Sequence, residues 1–574
     1  MDGRQPMRSL PAGDVLEPFV HQPCVAYFSM EIALRSSIPT YAGGLGVLAG
    51  DTLRSAADLL VPMVGVTLLS RAGYFRQELD GQGRQSELPD YWDPDTCTKR
   101  LRAKIAIGIG GREVWIAGHL YIIEGNMGGR APVILLDTDL EENHPDDRTL
   151  THFLYGGDAE YRLRQECVLG IGGVRMLHAL GFTINQYHMN EGHSALLVLE
   201  LLKRHTYAPE DLRPGEIMYD LPRVRDLCNF TTHTPVEAGH DKFPYDLVAR
   251  VLDEFRDEHT LRSLAGTESL NMTRLALNAS EYVNGVAKSH VATSREMFPG
   301  YSLRSITNGV HPYTWAGTAM RLVFDREQPA WCHEPELLVN ADRIADDALW
   351  NAHMDQKRAL CDFVAATTGR TLDPNRCTLG FARRMTGYKR PALIFSDLDR
   401  LRSIAARHPF QIVMAGKAHP RDEGGKEAIV EIHRAAQALG DAVPVVFLPD
   451  YDMDLAARMV SGVDVWLNNP LPPQEASGTS GMKAALNGVP NLSVLDGWWV
   501  EGWVEGITGW AIGEGGETDH VQALYRKLEE RVLPLYYGSR EGWVRVMKGA
   551  ITRNASFFNS HRMLRRYVTE AYMR

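Results

Sequence analysis

Cysteine is scarce in this chain and widely spaced. Seven residues, at 24, 97, 167, 228, 332, 361 and 377, are scattered over 574 positions with no C-x-x-C pair. That argues against a disulfide framework and for reduced thiols in a cytoplasmic protein. Long apolar runs are absent too. None approaches the roughly 20 residues that cross a bilayer, and 195–202 reads as an amphipathic or buried helix. Positive charge is not in excess. A net charge of −11 argues against a general nucleic-acid or membrane binder, which needs a basic surface. A neutral or anionic small substrate stays open if the site builds its own positive field. Residues 1–20 hold no apolar run followed by a cleavage site and read as a flexible lead-in. There is no internal repeat and no low-complexity segment. What remains is 44% hydrophobic and 23% charged, an ordinary globular composition spread over a chain too long for one core. Two large domains are expected.

The first half carries buried-strand patterns at Cys24–Met30, Val61–Leu69, Pro132–Leu136 and Ile184–His188. After the first comes Tyr41-Ala-Gly-Gly-Leu-Gly46, and then Val47, Leu53, Ala56, Ala57 and Leu60 at near-helical spacing. Strand, glycine loop and helix together present backbone N–H groups to a phosphate or oxyanion; a turn imposed by packing gives the same pattern. In His188-Met-Asn-Glu191-Gly-His193 the spacing fails the i, i+4 pattern of a helical zinc site, so a polar loop lining a pocket is the better reading and no metal is expected. Phe230-Thr-Thr-His233 places a histidine at a strand's carboxyl end, where open α/β sheets bind ligands; a structural histidine is the alternative. Ile306-Thr-Asn308-Gly-Val-His311 closes a first domain, 1–310.

Residues 311–376 are too apolar to be a disordered linker and include a helix over 347–367. Strands at Thr378–Arg383, Phe410–Ala415, Pro444–Leu448, Val463–Leu467 and Asn491–Leu495 then alternate with helices at 389–406, 424–439, 452–461 and 479–488. The fold class is α/β with a parallel, doubly wound sheet in the second domain, 311–574. At the end of its first strand stand Arg383, Arg384, Lys389 and Arg390. Cations concentrated where the chain leaves a strand make an anion site, unless they simply solvate a helix start. After the fourth strand, Glu475-Ala-Ser-Gly-Thr-Ser-Gly-Met-Lys483 turns from strand to helix. Its small residues allow close approach of a ligand, and Lys483 sits one turn into the helix among apolar neighbours. An amine held there loses proton affinity, which suits Schiff-base formation.

Those nine residues closely resemble the pyridoxal-phosphate attachment segment of the α-glucan (glycogen/maltodextrin) phosphorylases. The resemblance extends from Tyr27 to the C-terminal helix, in one order, and fits the short bacterial type. It implies two Rossmann-like domains facing a central cleft, the GT-B glycosyltransferase architecture, with a C-terminal helix at about 546–574 packing back on the first domain. It implies reversible, retaining phosphorolysis of the non-reducing-end glucose of glycogen or maltodextrin to α-glucose 1-phosphate. Pyridoxal 5'-phosphate would be held as a Schiff base on Lys483, with Thr479, Ser480 and Gly481 around its phosphate and Tyr451 and Arg383 nearby. Arg384 and Lys389 would hold the substrate phosphate. Gly44 and Leu45 of the glycine loop, His233, Asn308, Glu475, Ser477 and Gly478 would face sugar or phosphate.

Within the matching motifs Ala42, Thr386 and Asp452 depart from the long enzymes, which carry Asn, His and often Arg there. One positive charge fewer and one negative charge more near a dianion bear on phosphate affinity rather than on reaction class. The chain begins almost at its first strand, so the phosphorylation and nucleotide control of the longer enzymes are not expected. The implied partners are an α-glucan or maltooligosaccharide and orthophosphate or glucose 1-phosphate, with no nucleic acid or membrane; homo-oligomerisation stays open. The rivals are a nucleotide-sugar-dependent, glucan-synthase-like glycosyltransferase, which has no use for Lys483, and a non-catalytic glucan-binding relative.

Overall fold

The computed structural model describes residues 15–212 and 217–573. Of the lead-in read over 1–20, residues 1–14 lie outside the described residues, and Glu17–Val20 form a helical turn.

The first sheet has nine strands. In spatial order they are Arg304–Ser305, Tyr282–Gly285, Cys228–Thr231, Ile184–Asn190, Cys24–Phe28, Met63–Leu68, Arg130–Asp137, Arg112–Glu124 and Lys99–Ile109. The first seven run parallel. Cys24–Phe28 and Met63–Leu68 are buried at every position, as a sheet covered by helices on both faces requires. The last two strands add an antiparallel ribbon at the edge. It escaped the reading above because Lys99-Arg-Leu-Arg-Ala-Lys104 alternates charge with apolar residues, the pattern of a half-exposed edge strand.

The second sheet has six parallel strands in the order Val445–Leu448, Phe410–Ala415, Cys377–Ala382, Val465–Asn468, Asn491–Val494, Gly509–Ile512. Numbered along the chain this is 3-2-1-4-5-6, the Rossmann order, whose reversal between Cys377–Ala382 and Val465–Asn468 opens a crevice beyond their carboxyl ends. The helices follow from local chemistry. Asp422 caps Glu423–Leu439 by accepting from the Gly425 N–H at 2.9 Å. Ile429, Ile432, Ala435 and Leu439 form its buried stripe. The helix expected over 389–406 needs correction. Two 3-10 turns, Gly387–Lys389 and Leu393–Phe395, precede a helix that starts only at Leu398. Arg390 at φ 47° and the proline after it hold that stretch out of the helical basin.

The C-terminal segment is likewise broken. Arg540–Gly549 and the π-turns of Ala550–Ala555 stop before Asn559, which caps Ser560–Tyr567. This last helix and the π-turn Val568–Tyr572 that continues it lie against the first sheet. The Tyr572 hydroxyl is 2.6 Å from His188 Nδ1, the Tyr567 hydroxyl 3.1 Å from Thr231 Oγ1, and Ser560 Oγ 2.6 Å from Ser55 Oγ. Met563, Leu564 and Tyr567 join Val25, Tyr27 and Leu53 in one apolar cluster. Two Rossmann-like units thus face each other across a cleft, each offering the carboxyl ends of its strands. No helix among the described residues is long and apolar enough to cross a membrane.

Candidate functional site

A cavity of about 780 Å³ lies between the two sets of strand ends. On its first-sheet side the chain leaves Cys24–Phe28 and brings the buried Glu31 under the glycine loop. Glu31 Oε2 accepts from the N–H groups of Ala42 (2.6 Å) and Gly43 (3.0 Å), and Oε1 accepts from the Tyr155 hydroxyl at 2.9 Å. A Cβ on Gly46 would sit 2.7 Å from that carboxylate, so only glycine admits the contact. With two amides occupied, the loop presents those of Gly44 and Leu45, in the first turn of the 15-residue helix Gly44–Asp58. The first N–H groups of a helix have no intrahelical acceptor and carry its positive pole.

Facing them is the cation loop that follows Cys377–Ala382. Arg384 is surrounded by protein but projects into the cavity, where it keeps an exposed surface; its Nη2 is 3.4 Å from where a Cβ on Gly43 would lie. It makes no hydrogen bond among the described residues. Arg383 and Lys389 converge on Glu475 Oε2, at 2.8 and 2.5 Å. Burial pushes the Glu475 carboxyl up, but the charges of Arg383 and Lys389 outweigh it and hold the group below its ordinary value. Arg383 Nε and Nη1 are buried with no partner among the described residues. Buried donors are rarely left so, and these two await an acceptor. Behind Glu475, Asp496 takes the N–H of Glu475 and of Gly497, each at 2.9 Å; burial raises its pKa to about 6.

Lys483 lies on Ser480–Leu486 and is 6% exposed. Its Nζ rests 3.7 Å from the centre of the Trp315 ring and has no hydrogen-bond partner among the described residues. The indole donates Nε1–H to Asp51 Oδ2 at 2.8 Å, which fixes the ring's plane. Burial lowers the amine's pKa from 10.5 to about 8, with Asp51 opposing and Arg54 assisting.

The remaining wall is polar. His233 Nε2 is 2.7 Å from Asn190 Oδ1, whose amide nitrogen donates to Ser29. An amide oxygen only accepts, so His233 carries its hydrogen on Nε2 and keeps Nδ1 as an acceptor. Burial, with His290, His188 and His193 nearby, lowers its pKa to about 3 and keeps it neutral. Glu191, at φ 76°, accepts from the His233 N–H at 2.7 Å and the Thr234 hydroxyl at 2.9 Å and so holds this loop. His188 is spent on Tyr572 and Thr231. Asn308 Oδ1 is buried without a partner among the described residues.

The structure brings Gly44, Leu45, His233, Asn308, Arg383, Arg384, Lys389, Tyr451, Glu475, Ser477, Gly478, Thr479, Ser480 and Lys483 to this one cavity. Gly481 is not on its wall. A Cβ there would meet Asn491 Oδ1 at 2.2 Å and Trp498 Cζ2 at 2.9 Å, so packing beneath the turn requires glycine at this position. Gly481→Ala is therefore expected to cost about 1–3 kcal/mol of stability, read as a lowered Tm. Asp452 lines the cavity, but its Oδ1 caps Met453–Gly462 through the Leu455 N–H at 2.8 Å, and burial raises its pKa. The carboxylate is thus engaged as a helix cap. Ala42 gives its N–H to Glu31, and Thr386 Oγ1 is buried and unpartnered among the described residues. Glu31, Trp315 and Asp496 were missed: no local pattern marks a lone acid or indole, and only the topology delivers them.

Comparison with known proteins agrees with this geometry. The carbohydrate phosphorylase family profile matches residues 253–548. Maltodextrin phosphorylase of Thermococcus litoralis is 39% identical, the match covering 96% of this chain and 70% of that protein. Glycogen phosphorylase of Mycobacterium tuberculosis is 35% identical over 96% of this chain and 70% of its own. Glycogen phosphorylase of Aquifex aeolicus is 35% identical over 96% and 86%. With the strand order, the shared cleft and these matches in agreement, the chain belongs to the carbohydrate phosphorylase family.

Proposed function

We propose that this chain is a retaining α-1,4-glucan phosphorylase that moves the non-reducing-end glucose of glycogen or maltodextrin to orthophosphate, reversibly, giving α-glucose 1-phosphate. The observation that carries this reading is the meeting of a buried, uncommitted amine with three cations in one interdomain cavity. The reading divides the chain into 1–310, with the glycine loop and sugar wall, and 311–574, with the cation loop and Lys483.

Pyridoxal 5'-phosphate fits the residues present. Lys483 offers the amine for its aldehyde, the unpartnered Arg383 nitrogens suit its phosphate, and Tyr451 and Thr479 line the same wall. Ser480 Oγ already accepts from the Trp466 indole at 3.0 Å, so its own hydrogen is free to donate. When bound, the cofactor supplies a phosphate group able to exchange a proton with the substrate phosphate. The chain does the rest. Arg384 and the Gly44 and Leu45 amides hold the substrate phosphate, and Lys389 reaches it from its Glu475 pair. Two phosphates in a dry cleft repel each other by several kcal/mol, which these cations offset. Held there, the substrate phosphate gives its proton to the glycosidic oxygen as the bond from C1 to that oxygen breaks and the shortened glucan leaves. The same phosphate supports the oxocarbenium-like sugar electrostatically and then bonds to C1 on the face the glucan left. His233 Nδ1 and Asn308 Oδ1 accept sugar hydroxyls and fix the ring. The two facing units exclude the water that would divert the sugar to hydrolysis.

The test is incubation with maltodextrin and orthophosphate, assaying glucose 1-phosphate, with nucleotide sugars in parallel. Phosphate-dependent release supports the reading; transfer only from a nucleotide sugar, or no turnover by cofactor-loaded protein, refutes it. The lowered amine pKa adds a pH dependence. Only the unprotonated amine attacks an aldehyde, so covalent loading of cofactor-free protein should rise about tenfold per unit below pH 8 and level off above it. An ordinary lysine would keep accelerating toward pH 10.5. Near-ultraviolet absorbance after mixing with pyridoxal phosphate reads the rate.

A further inference from the structure

A small hairpin of the first unit, Arg76–Leu79 and Gln85–Leu88, crosses the cleft and docks on the second. Its first strand is largely open to solvent except Gln77, which is 2% exposed. The Gln77 N–H donates to Asp450 Oδ1 at 3.0 Å, and the Asp450 N–H donates back to Gln77 Oε1 at 2.9 Å. Gln77 Nε2 donates to the Gly416 carbonyl at 3.0 Å. Gln85 repeats the arrangement: its Nε2 donates to the Ala418 carbonyl at 2.9 Å, and its Oε1 accepts the Ala418 N–H at 3.0 Å. Lys417 Nζ donates to the Phe75 carbonyl at 2.9 Å. Side-chain amides that satisfy a partner's backbone in both directions fix register more than charge pairs do, because each bond needs its own geometry.

The loop so gripped leads to the anion site. The Met385 N–H donates to the Lys417 carbonyl at 3.0 Å and the Arg383 N–H to the Ala415 carbonyl at 3.3 Å, on either side of Gly416. A Cβ on Gly416 would strike the Arg383 carbonyl at 2.0 Å, so the two loops lie in backbone contact. At the hairpin's base, Tyr74 lines the cavity with His419, their rings 6.1 Å apart.

We propose that Gln77 and Gln85 are positioning residues, a latch from the first unit that holds the 416–418 loop and through it sets Arg383 and Arg384 for phosphate. This rests on the phosphorolysis reading, and the test separates the two. In the cofactor-loaded enzyme, the double variant Gln77→Ala/Gln85→Ala should raise the phosphate KM about tenfold or more while the glucan KM moves less than about twofold. Deuterium exchange over 416–420 and 383–389 should quicken about tenfold or more. Asp450→Ala, on the other side of the contact, should act in the same direction should the double variant fold poorly. Asp450→Asn, which keeps the acceptor for the Gln77 N–H and gives up only the charge of its partly exposed pair with Lys417 (2.6 Å), should restore the phosphate KM to within about twofold. A parental phosphate KM in both disrupted variants overturns the latch, even with faster exchange, because the hairpin then only packs. If the parent shows no phosphate-dependent turnover, the functional reading fails. Exchange alone then decides: unchanged exchange at 383–389 overturns the latch, and faster exchange there supports it.

Discussion

Lys483→Met, which keeps the buried stem and removes the amine, should purify without near-ultraviolet absorbance and release glucose 1-phosphate at least about a thousandfold more slowly than the parent. Its stability should move the other way. Burial lowers the amine's pKa from 10.5 to about 8, so between these values the folded, cofactor-free protein binds fewer protons than the unfolded chain, and below about 8 both bind the same number. The amine therefore costs stability. The cost grows as pH falls from 10.5 and is complete below about 8, where it reaches about 3 kcal/mol. Cofactor-free Lys483→Met is thus expected to melt higher than the cofactor-free parent at pH 7 and to match it near pH 11. Thermal melts at both values, beside the phosphorolysis assay, check both halves. A variant with parental activity would remove Lys483 from the chemistry.

Arg384→Ala should lower kcat/KM for orthophosphate about 100- to 1000-fold, through lost charge stabilisation at the transferring group. Because this guanidinium makes no hydrogen bond among the described residues and projects into the cavity, its removal should leave Tm within about 1–2 °C. Arg384→Lys should recover only part of the loss: a point charge replaces the fork but not its two-pronged geometry. Steady-state kinetics at varied phosphate would show this, and an unchanged phosphate dependence would take Arg384 out of the site. Loss of both activity and fold would mean that the residue is structural, contrary to its position.

Much of this was legible in the sequence, for identifiable reasons. Parallel strands buried on both faces are continuous apolar runs, so Phe410–Ala415 and Asn491–Val494 could be placed from composition alone. The strand-to-helix turn in Glu475–Lys483 could be read because its demands are local, small residues for a close turn and then a helix, whereas what Lys483 holds was implied only by the family resemblance. What escaped reading depends on distant partners. The Glu31 carboxylate is meaningful only because Ala42 and Gly43 return to it after the chain has turned. Trp315 is one tryptophan among 11 until Asp51, 264 positions earlier, fixes its plane under Lys483. The hairpin at 76–88 looks like an exposed ornament, and its grip on the 416–418 loop appears only when the two units meet. The helix cap that Asp452 makes could not be read from its charge, because it depends on how Met453–Gly462 starts.

The most direct test is borohydride reduction of the purified, active protein, followed by digestion and mass analysis of its lysine peptides. The account predicts one stoichiometric pyridoxyl-phosphate adduct, on the peptide carrying Lys483, with loss of the native absorbance. An active protein that yields no adduct, or that carries it on another lysine, would contradict the account.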